Sequence, residues 1–150
     1  MAHYKQPDWF TKNVGNRIVM LLTRLGLSIA GSRTLAVRGR KSGQWITTPV
    51  NPLTIDSGRY LVAPRGETGW VRNIRASGEA ELRLGRKREA IRVVELSDAE
   101  KPDPLRGYLK KWKWEVGQFF DGVGPDSPEE ELARIAPRHP VFRIVDRPPR

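Results

Sequence analysis

Hydrophobic positions along this chain follow two different periods. Between residues 9 and 25 the apolar side chains are Phe10, Val14, Ile18, Leu21, Leu22 and Leu25, with Lys12, Asn13, Asn16, Arg17 and Arg24 between them. Spacings of three and four predict an amphipathic helix over about 9–25, with Asp8 as N-cap and Gly26 as stop. Such a helix can cover a core or lie on a membrane surface. From Thr34 the period shortens and glycine interrupts it. Thr34–Val37, Trp45–Val50 and Arg59–Pro64 are predicted strands, the first two joined by residues 38–43, the third preceded by a turn at Asp56-Ser57-Gly58. A short helical crossing is expected over Thr68–Ala76, then a hairpin of Glu81–Leu84 and Glu89–Leu96 around Gly85-Arg86.

The C-terminal third returns to helical spacing. Asp103 and Pro104 have the form of an N-cap and a first-position proline. Leu105, Tyr108, Leu109, Trp112, Val116, Phe119 and Phe120 then mark one face of a long helix. Ser127-Pro128-Glu129-Glu130 resembles a capping box opening a short helix through Leu132 and Ile135. Pro140–Val145 is a predicted closing strand, followed by a frayed tail at Arg147–Arg150. Turn-linked strands with helices segregated outside them indicate an α+β fold with an antiparallel sheet. Short strands of this number can close into a small barrel. The length of 150 residues suits a single domain over 1–150.

Composition narrows the chemistry. There is no cysteine, which excludes disulfides, thiol catalysis and thiolate metal sites. His3 and His139 lie at opposite ends of the chain and in no metal-ligand spacing, so no metal site is expected. The opening MAHYKQPDWF lacks the pattern of a cleaved leader, and no run approaches the roughly 20 apolar residues of a membrane span. A cytoplasmic location is expected, with peripheral membrane contact left to the first helix. The formal charge of +10 attracts polyanions: nucleic acid, an anionic membrane or a phosphorylated cofactor.

Two loops place that charge. Arg38-Gly39-Arg40-Lys41-Ser42-Gly43 carries two glycines that permit a tight turn and close ligand approach, with guanidinium, ammonium and hydroxyl donors among them. It is not a Walker A loop, and on composition alone a solvated basic hairpin explains it equally well. The second loop, Ala63-Pro64-Arg65-Gly66, leads through Thr68 to a helix start, where free N–H groups favour anions. Trp70 there is either a core residue or a wall for a flat ligand. Together the loops suit an elongated cofactor with a phosphate and a planar ring.

GRKSG, the following Thr47-Thr48-Pro49, a strand ending in a glycine-bearing loop, and Trp70-x-x-Asn73 resemble the deazaflavin (F420)-dependent nitroreductase family over about residues 10–96. The resemblance implies an antiparallel split β-barrel with flanking helices that binds coenzyme F420. It maps the phosphate and oligoglutamate tail onto Arg38, Gly39, Arg40, Lys41, Ser42 and Gly43. Thr47, Thr48, Pro49 and Val50 would run along the cofactor, with Ala63, Pro64, Arg65, Gly66, Trp70 and Asn73 completing the site. Gln44, Trp45 and Ile46 stand where better-known members carry another basic residue, and the loop before the tryptophan is shorter here. The implied reaction passes a hydride from reduced deazaflavin to a small organic acceptor such as a quinone, nitro compound or enone. Tyr108 is the candidate proton donor, and the helix carrying Tyr108, Trp112 and Trp114, or Phe10 and its neighbours, the candidate cover. The alternatives are an FMN-binding split-barrel enzyme and a non-catalytic F420 carrier. Nucleic acid is not expected as a partner, because the basic tip Arg83, Gly85, Arg86, Lys87 and Arg88 has no interleaved aromatic residues. Monomer and homodimer remain equally open.

Overall fold

The computed structural model describes residues 32–145. The amphipathic helix expected over about 9–25 and the tail at Arg147–Arg150 lie outside the described residues. Seven strands form one antiparallel sheet: β1 (Arg33–Arg38), β2 (Trp45–Val50), β3 (Leu53–Ile55), β4 (Gly58–Val62), β5 (Glu79–Leu84), β6 (Lys87–Glu95) and β7 (Val141–Ile144). Their spatial order is β2-β1-β5-β6-β7-β4-β3, so among the described residues β2 and β3 are the edge strands of a curled, open barrel. Among the described residues three α-helices accompany it: α1 (Gly69–Ser77), α2 (Pro102–Val116) and α3 (Glu129–Ile135). This is the α+β split barrel expected from the sequence.

Alternation along the central strands divides the interior in two. In β4, Tyr60 and Val62 face the helical core with Leu105, Tyr108, Leu109 and Trp112 of α2 and Leu132 and Ile135 of α3. The intervening Leu61, with Ala63, faces the other core, where Val71 and Ile74 of α1 pack on Leu35, Val37, Leu82 and Ile91. The second half of β4, Tyr60–Val62, is thus packed on both faces. The loop that leaves it, residues 63–68, starts from that packed end.

Several boundaries differ from expectation. The strand expected over Arg59–Pro64 runs from Gly58 to Val62, and Leu53–Ile55 is an additional strand paired to it through the Asp56–Ser57 turn. Three residues are too few to show a period, yet Leu53 is wholly buried. The long helix starts at Pro102, one residue before the expected Asp103 cap. A 3-10 turn at Asp98–Glu100, closed by a Ser97–Glu100 capping box, delivers the chain to it. Ser127 does not cap α3: its Oγ accepts the Gly124 N–H at 2.9 Å, and Pro128 stands at the N-cap. Phe119 and Phe120 leave the helix. Phe119 closes a 3-10 turn over Gly117–Phe119, and α2 itself is broken at Trp112 (φ −127°, ψ 17°).

Candidate cofactor groove

The hairpin between β1 and β2 is closed by its own backbone. The Gly39 N–H donates to Gln44 O at 2.8 Å and the Gly43 N–H to Gly39 O at 2.9 Å. Gly43 sits at φ +73°, where a side chain is strained. A Cβ on Gly39 would lie 2.7 Å from Ser42 Oγ, which itself accepts the Gln44 N–H at 3.2 Å. The hairpin is then locked to α1. Asn73 Oδ1 accepts both the Arg40 backbone N–H (3.1 Å) and an Arg40 guanidinium N–H (2.8 Å). Asn73 is almost fully buried while Arg40 is exposed, so the lock ties a solvent-facing loop to a buried acceptor.

Among the described residues, no carboxylate meets the charge at this end. Among those same residues some arginines elsewhere meet carboxylates, Arg59 with Glu89, Arg83 with Glu81, Arg134 with Asp121 and Glu131, while Arg86, Arg88 and Arg92 on β6 and its turn do not. No ion pair among the described residues includes Arg38, Arg40 or Lys41. Three cations on one loop repel one another unless an anion joins them.

The start of α1 has the same character. Its N-cap Thr68 makes no side-chain cap bond, its Oγ1 is buried without a partner, and the first turn carries no acidic residue. Glu67, just upstream, is drawn away instead. Its carboxylate pairs at 2.8 Å with Arg75, whose guanidinium also holds Glu95 at 2.7 Å. That hydrogen bond holds the Glu67 carboxyl below its usual range. The N–H groups of the first turn are therefore left for a ligand.

Between these donors and α2 runs a groove of about 920 Å³. That is near the upper end of ordinary small-molecule sites, which span roughly 300–1,000 Å³. One wall comes from the β1–β2 hairpin, β2, the loop after β4 and α1: Arg40, Thr48, Pro49, Pro64, Trp70 and Asn73. The other wall comes from α2 and the turn after it: Tyr108, Trp114, Val116, Gln118 and Phe119. Trp70 is held in place by Phe142, with ring centroids 5.8 Å apart, and the Arg65 guanidinium lies 5.3 Å over the Phe119 ring, joining the two walls.

Behind the loop 63–66 stands His139, which is 2% exposed and stacked on Phe120 at 4.2 Å. Burial pushes its pKa down to about 4. The Ala63 and Pro64 backbones oppose that shift in part, and the Lys101 and Arg138 charges add to it. Neither ring nitrogen reaches a partner at hydrogen-bond geometry. The neutral ring is therefore a spacer between the loop and the Phe119–Phe120 turn. The Ala63 N–H is tied to Pro140 O at 2.9 Å, and a Cβ on Gly66 (φ +84°) would meet Arg138 O at 3.2 Å.

Of the residues singled out in the sequence, Arg40, Thr47, Thr48, Pro49, Val50, Ala63, Pro64, Arg65, Trp70, Asn73 and Tyr108 line one groove. Gly39 and Gly43 shape the hairpin rather than the wall. Arg38 turns to the outer face, donating to Gly43 O at 3.1 Å and lying 4.1 Å over the Trp45 ring. Lys41, Ser42 and Gly66 stand outside the lining. Ile46, Asn51 and Gln118 line the groove without having been anticipated. Strand alternation placing Ile46 beside Thr48 and Val50 was the available signal for the first.

Sheet, groove and cationic end together define a split-barrel cofactor-binding protein. A model of the F420H(2)-dependent quinone reductase family matches residues 6–113, and the chain belongs to that family. It is by that membership an oxidoreductase dependent on coenzyme F420. No curated protein matches the chain. Among solved structures it is similar to the F420-H2 dependent reductase FDR-A (TM-score 0.52, 16% identity, covering 77% of this chain and 94% of that one). Rv2991 of Mycobacterium tuberculosis is similar at TM-score 0.53 and 18% identity, over 86% of this chain and 79% of that one. Atu2129 of Agrobacterium tumefaciens is similar at TM-score 0.53 and 15% identity over 85% of this chain, which spans about half (53%) of that protein. At these identities the likeness is one of fold. The residues present fit an elongated cofactor. Unpaired cations and the open start of α1 suit its anionic part, and the groove between Trp70, Pro49 and Tyr108 suits a planar ring.

Proposed function

We propose that this chain reduces a small, planar organic acceptor of the quinone or nitroarene type, with coenzyme F420 seated along the β2 wall. The observation that supports it most is the Arg40–Asn73 lock, which pre-organises a cationic loop at one end of the groove. Bound and reduced, the cofactor supplies a hydride. Arg40 and Lys41 neutralise the anionic part and fix its register, with the N–H groups of α1 as further donors. Thr47, Thr48, Pro49 and Val50 run beside the ring, and Asn73, whose Oδ1 is committed to Arg40, has its amide N–H groups left to donate. The α2 wall excludes water from the reacting carbon. Reduction of a quinone to a hydroquinone needs one hydride and one proton. Tyr108, almost fully buried at the groove, is the proton donor we assign, reloaded from solvent through the groove mouth.

Titration of the protein with F420 and, separately, with FMN, followed by tryptophan fluorescence, tests the cofactor assignment. Tight FMN binding with no response to F420 would sink it. Mixing with reduced F420 and menadione then tests turnover. Oxidation no faster than without protein would make the chain a carrier rather than a reductase. In Tyr108→Phe, kcat for menadione is expected to fall about 100-fold with F420 affinity retained.

A further inference from the structure

Two tryptophans stand two residues apart near the end of α2 and have opposite fates. Trp112 is 3% exposed and packs on Tyr108 with centroids 5.1 Å apart, while Trp114 is 72% exposed. On an unbroken helix two residues turn the side chain by about 200°, which would direct residue 114 away from the face of residue 112. The backbone breaks from helical geometry at Trp112, and Trp114 lines the groove while Trp112 does not. The one polar atom of Trp114 is already satisfied: the indole Nε1–H donates to Lys111 O at 3.1 Å. That bond uses a carbonyl near the helix end and fixes how the ring is presented. What remains for the groove is a pinned, flat, apolar surface without a free donor.

We propose that Trp114 is a stacking platform for a planar, uncharged aromatic acceptor and sets the preference of the groove for such acceptors over non-planar ones. Three features on the page support it. The ring is oriented by its own hydrogen bond, so stacking loses little side-chain freedom. It lines the groove with Val116 and Phe119 of the same chain segment and has no charge of its own, so it suits the uncharged reactant rather than the cofactor's anionic part. Ile46, 49% exposed on the β2 side, offers a second apolar contact at the same groove. The inference rests on the proposed F420 reductase reading, and the test keeps the two apart.

Menadione is titrated calorimetrically into wild type, Trp114→Ala and Trp114→Phe, each free and loaded with oxidised F420, which cannot transfer a hydride. Kinetic constants for menadione and for the non-planar enone cyclohexenone are then measured with reduced F420. For Trp114→Ala we expect menadione affinity to fall about tenfold and its KM to rise by a similar factor, with the loss on KM rather than kcat. Cyclohexenone KM should rise far less than menadione KM, and Trp114→Phe should recover most of the menadione loss. Unchanged menadione affinity and KM in Trp114→Ala would overturn the proposal. So would an equal rise in KM for both acceptors, or wild type that binds no menadione in either form. Wild type that takes menadione but no F420 would overturn the cofactor reading and leave the platform standing.

Discussion

The two walls of the groove are built by different physics. The wall of β2, the residue 38–45 hairpin and α1 is held by backbone hydrogen bonds, glycine geometry and one buried asparagine, with most of its charged atoms in solvent. The wall of α2 and the Gly117–Phe119 turn is the outer layer of a large apolar core. Changes on the first wall should alter ligand affinity with little loss of stability. Changes beneath the second should unfold the protein before they inform on binding.

The sharpest contrast is within α2. Trp112→Ala removes a buried ring and should cost about 3–5 kcal/mol in urea denaturation, whereas Trp114→Ala should stay within about 0.5 kcal/mol of wild type. Equal losses would abolish the distinction between a core indole and a groove indole. Next is His139, which joins the walls. Its folded pKa of about 4 lies below the unfolded value near 6.5, so the unfolded chain binds the proton more readily between them. Its contribution is complete above pH 6.5 and is lost as pH falls toward 4, on the order of 3 kcal/mol in all. His139→Leu should flatten that segment of the stability–pH curve. Glu67 and Glu100, both with lowered pKa, act only further down, below their ordinary carboxylate range.

On the first wall, Arg40→Ala with Lys41→Ala removes two charge-assisted contacts of about 1.5 kcal/mol each, so F420 affinity should weaken about 100-fold. The urea midpoint should hardly move, and an unchanged F420 Kd would break the assignment of that wall to the anion. Asn73→Ala is smaller and mixed: about tenfold in F420 affinity and roughly 1 kcal/mol of stability, because it frees Arg40 and empties a buried site. A pure stability loss without any change in affinity would show that the lock serves only the fold.

The first wall was also the more legible one. Glycine spacing announced the hairpin between Arg38 and Trp45, and helical spacing announced α1 to within a residue or so. The lock between Arg40 and Asn73 was not legible as a lock. It spans 33 positions, and either residue by itself reads as a cofactor contact. Arg38 is a similar case, because only the β1–β2 register sets it opposite Trp45. On the second wall the apolar spacing of Leu105, Tyr108, Leu109, Trp112 and Val116 runs straight through the break, so the pattern describes a continuous helix. The backbone there is decided by tertiary packing, which local spacing does not record.

The bare start of α1 also sets how the protein exchanges with solvent. Amide protons in its first turn have no acceptor within the helix, and Glu67, which could have shielded them, is held by Arg75. In the empty groove Gly69 and Trp70 should trade protons for deuterium quickly, while Ile74, buried in the sheet-side core, trades slowly. An anion seated at that terminus turns the fast pair slow without moving the helix. Occupancy of the groove is thereby written into two backbone amides, where it can be followed in the absence of any reaction.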